Sequence, residues 1–369
     1  MPNPKLQAAR DLFSLINRNV EAAPDAAAIA QETVEAVKAA GLYGVSAPRE
    51  VGGEELSIPE AIEVFAELAR ADGSVGWSVM AGAVLVSYFG AYCDQDFVDQ
   101  MFGAGMPIGA GQFAPNGTGV PDGDDFVISG KYQFGSGISH ANWVGAGVFV
   151  TPAEGDPELR FMVFPRECAD VQGNWDVLGL QSTSSFDYEV KDVRVPRGAT
   201  FPFFGPTRRR GGKTYELGVL PLTAVGHVGF ALGVARRALD ELIDIARTKQ
   251  RMGATAALRD SDLFLDSLGT LESRYRACSS WSYDVFGKME HTVRETGIPN
   301  PVEMNLARQA TVFVTHEAAD VIRQAYLLAG TSGLRAGPLQ RCFRDIHAGT
   351  QHFFASPAAT ADMARDLLA

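Results

Sequence analysis

Residues 126–143 read FVISGKYQFGSGISHANW and lie in the only long part of the chain with a strand pattern. β-branched and aromatic residues continue as far as Phe134, which is typical of a strand. A Gly-Ser-Gly step follows at 135–137, where the backbone can approach a neighbour closely because glycine has no Cβ. An apolar run over 143–150 then predicts a buried strand. The pattern fits a β-hairpin or the seat of a flat ligand, and spacing alone favours the hairpin.

The composition restricts the classes of protein that this chain can belong to. Its 369 residues are 46% hydrophobic with a formal net charge of −12, which permits two or three domains and a large core. The acidic balance argues against a nucleic-acid partner, because phosphate binding requires a basic surface. Four scattered cysteines without Cys-x-x-Cys spacing predict neither a disulfide framework nor a metal site. With no signal-peptide pattern, and no window expected to be apolar enough for a bilayer, a soluble cytoplasmic protein is predicted.

Helical patterns lie on both sides of the strand region. The Ala-rich stretch from Asp25 to Ala40 predicts a helix that ends at Gly41. Residues 77–89 are almost all apolar or small, which predicts a deeply buried helix. A helix is also predicted over Thr223 to Thr248, whose three glycines would allow a neighbouring helix to approach its backbone. Helices, then strands, then helices is not the order of a doubly wound α/β fold.

This order resembles the acyl-CoA dehydrogenase fold over nearly the whole chain. The resemblance implies a mainly α protein with a central β domain: an N-terminal helical domain over 1–105, a middle β-barrel or sandwich over 106–215 and a C-terminal four-helix bundle over 216–369. Four motifs in the same order are similar to those of the flavin-dependent monooxygenase branch of that fold. They are Asp72-Gly73-Ser74-Val75-Gly76-Trp77, Phe134-Gly135-Ser136-Gly137 with His140 and Trp143, the stretch from Trp175 to Pro196, and Arg341-Cys342-Phe343-Arg344-Asp345-Ile346 with His352.

The resemblance implies a chemistry and its partners. Reduced flavin, either FMN or FAD, would react with O2 to give a C4a-hydroperoxide that hydroxylates an aromatic or other electron-rich small molecule. The sequence has no dinucleotide-binding fingerprint at a strand-to-helix turn, so a separate flavin reductase is expected to supply the reduced flavin. The family also forms homotetramers built as dimers of dimers, and the helices at 77–89 and 223–248 suggest large buried contacts of that kind.

The resemblance also implies roles for the residues around the Gly-Ser-Gly step. Ser136 is expected to place a hydrogen-bond donor near N5 of the flavin, with Phe134 and Gly135 lining the ring. Ser182 and Thr183, in a run of four hydroxyl residues at 182–185, are candidates for further polar contacts with the flavin. The same hydroxyls could equally satisfy their own turn.

Other candidates are implied farther along the chain. Arg251 is the candidate for the flavin phosphate, although a basic residue at a helix C-terminus also complements the helix dipole. Trp77 and His140 are candidates for the substrate pocket. His352 is the candidate catalytic base or substrate-orienting residue, because an unperturbed histidine titrates near neutral pH; otherwise it caps a helix. The four histidines without a motif are interpreted as structural, namely His227, His291, His316 and His347.

An acyl-CoA dehydrogenase remains an alternative at this point. Many members carry a catalytic Glu after their Arg-Asp step, and alignment on that step puts Phe353 at the Glu position. A phenylalanine cannot remove a proton, and no Glu follows Glu317 in this chain. Glu216 lies near the place from which some dehydrogenases supply the base, but acids are common at helix starts. A non-catalytic flavin-binding relative is a further alternative.

Overall fold

The computed structural model describes residues 3–152, 155–250 and 257–368. Helices come first, then strands, then helices again, as predicted. The helices are α1 Pro4–Asp11, α2 Phe13–Ala22, α3 Gln31–Ala39, α4 Ile58–Ala71, α5 Gly73–Tyr92, α6 Gln95–Phe102, α7 Val219–Thr248, α8 Asp262–Thr296, α9 Pro301–Ala329, α10 Thr331–Leu334, α11 Pro338–Gly349 and α12 Ala358–Leu368. The strands are β1 Gly109–Asp122, β2 Asp125–Gly135, β3 Trp143–Val150, β4 Glu158–Pro165, β5 Asp170–Val171, β6 Phe186–Pro196 and β7 Thr200–Pro202.

The strands form one seven-stranded sheet in the order β5-β6-β2-β1-β3-β4-β7. Only β1 and β3 pair in parallel, and every other neighbouring pair is antiparallel. The sheet curls until β6 approaches β4, and its inner face buries an apolar core that includes Ile128, Val144, Met162 and Val190. The predicted barrel or sandwich is therefore a single curled sheet. The predicted boundaries near 105 and 215 fall between α6 and β1 and between β7 and α7, while the division into domains stays a prediction.

Helices α5 and α7 form the centre of the molecule. All residues of α5 except Ala81 are buried, and α7 packs against α4, α5, α9 and α11. A Cβ on Gly233 would overlap the backbone oxygen of Ala66, and one on Gly229 would lie 2.6 Å from the Phe65 side chain. The close approach predicted from the glycines of this helix is confirmed, and α4 is the neighbour that uses it.

By length and apolar composition, α5 and α7 could each cross a membrane. The expectation that no window is apolar enough for a bilayer was therefore wrong. Within the fold, 94% of the apolar window of α5 and 83% of that of α7 are buried against the rest of the chain. The core helix of a folded protein and a membrane span share this composition, because both are surrounded by apolar groups.

The Ala-rich stretch before residue 31 is not helical, unlike the prediction for Asp25 to Ala40. Helix α3 begins only at Gln31, and Ala28 instead forms an isolated β-bridge with Thr183. The Ser184 N–H donates to the Ala27 carbonyl at 2.8 Å, and the Ser182 hydroxyl donates to the Ala26 carbonyl at 2.8 Å. These distant contacts override helix propensity, which is a weak local preference. The segment 26–28 therefore covers the loop of four hydroxyl residues.

Three of the sequence motifs meet at one buried junction. Asp72 caps the start of α5 by accepting from the backbone N–H groups of residues 74 and 75. Asp345 in α11 accepts from the backbone N–H of Leu180 at 2.6 Å, and Arg341 lies 3.7 Å from the Asp72 carboxylate. Burial raises the pKa of both Asp72 and Asp345. The junction holds the start of α5, the loop at 180–185 and α11 in fixed relative positions.

Candidate active site

Trp77, near the start of α5, is the centre of a cluster drawn from four parts of the chain. Its indole N–H donates to the Ser136 hydroxyl, just after β2, at 3.0 Å. Its ring packs edge-on against three further rings, those of His227, Phe230 and His352, at centroid distances of 5.0, 4.9 and 5.5 Å. The structure thus brings together Trp77, Ser136 and His352, three of the residues that the sequence nominated.

A relay of hydroxyl groups lies behind Ser136. The Ser136 oxygen is 2.9 Å from that of Ser185, which is 2.7 Å from that of Thr183. The Thr183 hydroxyl is 2.9 Å from the carbonyl oxygen of Leu180. A carbonyl can only accept a hydrogen bond, so Thr183 must donate to Leu180. Ser185 then donates to Thr183, and Ser136 donates to Ser185.

This direction decides what Ser136 can offer to a ligand. Its proton is committed to Ser185, and one of its two lone pairs accepts from the Trp77 indole. The remaining lone pair makes Ser136 a hydrogen-bond acceptor toward the site. The pattern favours this acceptor over the donor that the sequence analysis expected.

His352 begins the short 3-10 turn Phe353–Ala355. Its Nδ1 accepts from the backbone N–H of Phe354 at 3.3 Å, so in the neutral ring Nε2 carries the proton. Burial lowers the pKa of His352 to about 4. The cap that His352 forms is on this short 3-10 turn, whereas the predicted alternative was a cap on the final bundle helix. The cap on the turn leaves His352 as a neutral donor through Nε2, which favours the orienting role over that of a base.

His227 in α7 is the member of the cluster that the sequence analysis missed. Its ring lies 4.2 Å from that of His352, with 32° between their planes, and 5.0 Å from that of Phe354. Burial lowers the pKa of His227 well below its ordinary value, and the neighbouring His352 adds a smaller electrostatic contribution in the same direction. Its interpretation as structural rested on the absence of a motif. The available signal was a lone histidine within an otherwise apolar and glycine-rich stretch of a helix, residues 224–232.

Phe134 and Gly135 lie beside this cluster at the end of β2. Phe134 has a positive φ of 61°, its side chain is 55% exposed, and its ring meets the edge of Trp175 at 6.1 Å. A left-handed backbone costs a non-glycine residue free energy and is found preferentially at functional sites. Gly135 is buried, with the Phe186 carbonyl 3.1 Å from the position of a Cβ. The pair presents an open aromatic face above a tightly packed backbone.

The remaining candidates have other surroundings. The Ser182 hydroxyl is bound to Ala26, and Thr183 is fully buried, so Thr183 acts through the relay behind Ser136. His140 hydrogen-bonds the backbone of Ile29, and its pKa is lowered by burial. Its Nε2 is buried without a hydrogen-bond partner in the described part of the chain. The candidate phosphate ligand Arg251 lies outside the described residues.

Glu216, the alternative base, is engaged elsewhere. It lies in the 3-10 helix Lys213–Leu217 and forms an ion pair with Arg208 at 2.8 Å. Across the described ranges, no carboxylate hydrogen-bonds or ion-pairs with His227 or His352.

Comparison with known proteins identifies the class. The chain belongs to the acyl-CoA dehydrogenase family: the model of that family's N-terminal domain matches residues 7–96, and the model of its C-terminal domain matches residues 225–357. The predicted fold is confirmed by these matches and by solved structures. One of them, the HsaA monooxygenase from M. tuberculosis, has a TM-score of 0.86 at 22% identity and covers 97% of this chain and 95% of that chain.

Relatives within the family are named as monooxygenases. Indole-3-acetate monooxygenase of Pseudomonas putida is 31% identical over 344 residues, 88% of this chain and 84% of that protein. The oxygenase subunit HsaA of Mycobacterium tuberculosis, a flavin-dependent monooxygenase, is 24% identical over 94% of this chain and 90% of that protein. TdsC from Paenibacillus, solved with FMN and indole, has a TM-score of 0.81 at 20% identity, covering 94% and 93%. The predicted membership of the flavin-dependent monooxygenase branch is confirmed, and the dehydrogenase alternative gains no support.

Proposed function

We propose that this chain is the oxygenase component of a two-component flavin-dependent monooxygenase that hydroxylates an aromatic ring carrying an N–H or O–H group. The observation that carries the proposal is the cluster around Trp77, in which an acceptor at Ser136 and a neutral donor at His352 flank the same indole ring. The names of the relatives support the reaction class. The indole held by TdsC and the indole-3-acetate named for the Pseudomonas relative support the substrate class.

The residues at the end of β2 fit a reduced flavin. N5 of reduced flavin carries a hydrogen, which suits the acceptor lone pair of Ser136, whereas oxidised N5 carries none. The exposed ring of Phe134 offers an apolar face for a flat ring system. When bound, reduced flavin would supply the means to activate O2. The proposed site bordered by Trp77, Ser136, His227 and His352 is called the ring pocket. Whether FMN or FAD is used depends on contacts beyond it, including those proposed for Arg251.

The helices supply the rest of the environment. Trp77 and His227 come from buried faces of α5 and α7, so this side of the site would be lined by packed helices that help to exclude water from the reacting atoms. His352 would orient the substrate or bound oxygen by donating from Nε2. Because burial keeps its ring neutral, it can do so without bringing a positive charge into the pocket.

We also propose a separate reductase that delivers reduced flavin, a homotetramer and a cytoplasmic location. Helices α5 and α7 are covered by their own chain, so the assembly must use other surfaces. Large apolar side chains are exposed on α8 and α9, which is typical of an interface: Leu263, Leu265, Val302, Leu306, Phe313 and Leu327. Light scattering at micromolar concentration tests the assembly, and a monomer would contradict it.

The four cysteines are free, in keeping with a reducing compartment.

Rapid mixing tests the proposed reaction. The protein is loaded with reduced FMN or FAD in the absence of air and mixed with O2, and its absorbance is followed until the flavin is reoxidised. We expect a long-lived oxygenated flavin and, with indole or resorcinol present, a hydroxylated product. Direct return to oxidised flavin with peroxide and no product, compared with free flavin as control, contradicts the proposal. Reduction of bound oxidised flavin by an acyl-CoA thioester would instead indicate a dehydrogenase.

A further inference from the structure

The buried imidazole of His227 has no hydrogen-bond partner among the described residues. The residue is 4% exposed, and its ring lies against the rings of Trp77, His352 and Phe354. These neighbours offer it aromatic faces and edges. Buried polar groups in folded proteins are almost always hydrogen-bonded to protein, water or ligand. The His227 nitrogens are therefore available to a molecule that binds beside these rings.

The other nitrogens of the pocket are already assigned. The Trp77 N–H is committed to Ser136. Nδ1 of His352 accepts from the backbone of Phe354, so its Nε2 carries a proton and can only donate. A neutral imidazole always keeps one nitrogen lone pair, and that of His227 is not used by the protein. Of these three rings, only His227 can accept a hydrogen bond from a ligand.

We propose that His227 accepts a hydrogen bond from the ring N–H or O–H of the substrate and thereby selects aromatic substrates that carry such a group. The proposal rests on the proposed function for the identity of the substrate, but the acceptor itself rests on the geometry of the cluster. The two histidines then have complementary tasks. His352 donates from Nε2, and His227, stacked 4.2 Å away, accepts. A phenolic hydroxyl could engage both rings, whereas an indole N–H can engage only His227.

Pairs of ligands that differ by one methyl group test the acceptor without any turnover. Dissociation constants are measured by calorimetry for indole against 1-methylindole and for phenol against anisole, with the wild-type protein. Methylation removes the donor and leaves a buried lone pair unpaired, so we expect the methylated ligand of each pair to bind about tenfold more weakly. Variants then assign the effect. His227→Phe keeps an aromatic ring without nitrogen and should reduce the preference to about twofold or less, whereas His227→Gln, whose amide oxygen accepts, should keep most of it.

A matched control comes from the same chain. His347 in α11 packs on the Phe343 ring and hydrogen-bonds the Phe343 carbonyl, so His347→Phe should leave both preferences at the wild-type value. Circular dichroism and thermal unfolding confirm that each variant folds. If His227→Phe does not fold, Ser136→Ala decides, because Ser136 is the other acceptor that faces the site: a preference that Ser136→Ala keeps assigns the acceptor to His227, and a preference that it loses overturns the proposal.

Three results would overturn the proposal: equal binding of each pair by the wild type, an unchanged preference in a folded His227→Phe variant, and no binding of indole or phenol at millimolar concentration. A separate measurement tests whether the proposed function itself fails. Rapid mixing of the same proteins with reduced flavin and O2 requires no substrate, so loss of the oxygenated flavin would contradict the monooxygenase while the methyl-pair preference could still be present.

Discussion

The two sides of the ring pocket differ in how their polar groups are satisfied. On the hydroxyl side, Ser136, Ser185 and Thr183 form a continuous relay that ends on the Leu180 carbonyl. On the ring side, His227 has no protein partner in the described structure, and His352 keeps a free Nε2–H. A fully bonded network fixes geometry, whereas a buried polar group without a partner is poised for a ligand. The comparison indicates that the hydroxyl side holds Ser136 in a fixed position, whereas the ring side selects and orients the substrate.

The ring side should carry the largest effect. His352→Ala removes the Nε2–H donor, and we expect product formation to slow by about 10²–10³-fold, as for loss of a preorganised donor in a dry site. Binding of reduced flavin should change little. Single-turnover product formation at saturating substrate measures the rate, with His347→Ala as a control for a histidine outside the pocket. A wild-type rate in the variant would remove His352 from the reaction.

The hydroxyl side should carry a smaller effect. Ser136→Ala removes the acceptor lone pair, and we expect the oxygenated flavin to decay up to about tenfold faster, because one neutral hydrogen bond contributes about 1 kcal/mol. The matched control is Ser139→Ala, since the Ser139 hydroxyl is on the same turn but donates to Ser184 at 2.6 Å, outside the relay. Equal lifetimes in the two variants would show that Ser136 does not contact the flavin.

A further test of the hydroxyl side uses the exposed aromatic ring of Phe134 at the edge of the ring pocket. Phe134→Ala should weaken binding of reduced flavin by about 3–10-fold, which corresponds to loss of one aromatic contact of about 0.5–1.5 kcal/mol. The melting temperature should hardly change, because this side chain is 55% exposed. Phe204→Ala is the control, since Phe204 is 69% exposed and packs on Phe203. Matching flavin affinities in the two variants would place the flavin ring elsewhere.

The smallest expected effect is on pH dependence. An ordinary histidine becomes half charged at about pH 6.5, but burial lowers the pKa of His352 to about 4. Its neutral, donating form therefore persists as the pH falls through 6.5 and is lost only as the pH nears the folded value. We expect the rate of single-turnover hydroxylation to stay constant from pH 8 to about pH 5.5, apart from changes caused by the flavin itself. The pH profile of His352→Ala measures those flavin changes and serves as the baseline. A step near pH 6.5 that the variant lacks would contradict the buried, neutral ring.

Local signals in the sequence were sufficient to locate the starts of helices around the site. Ser57 and Glu60 have the spacing of a capping box and form one, with Glu60 accepting from the Ser57 N–H at 3.0 Å, and the Asn300 side chain, just before Pro301, caps α9 by accepting from the Val302 N–H. These signals act over three or four residues, so they can be recognised without the fold. The motifs added Ser136, Trp77 and His352, which the structure places in one cluster, although their catalytic roles stay predictions.

The sequence by itself determined the order of helices and strands, the buried apolar helix and the family, because periodicity, caps and motifs are properties of neighbouring residues. The tertiary structure alone decided which histidine completes the pocket and which tautomer the other one adopts. It also decided that residues 26–28 lie against a loop 156 positions away, where Ser182 meets Ala26. Hydrogen bonds and ring contacts between such distant residues depend on how the elements pack, and no local pattern encodes that packing.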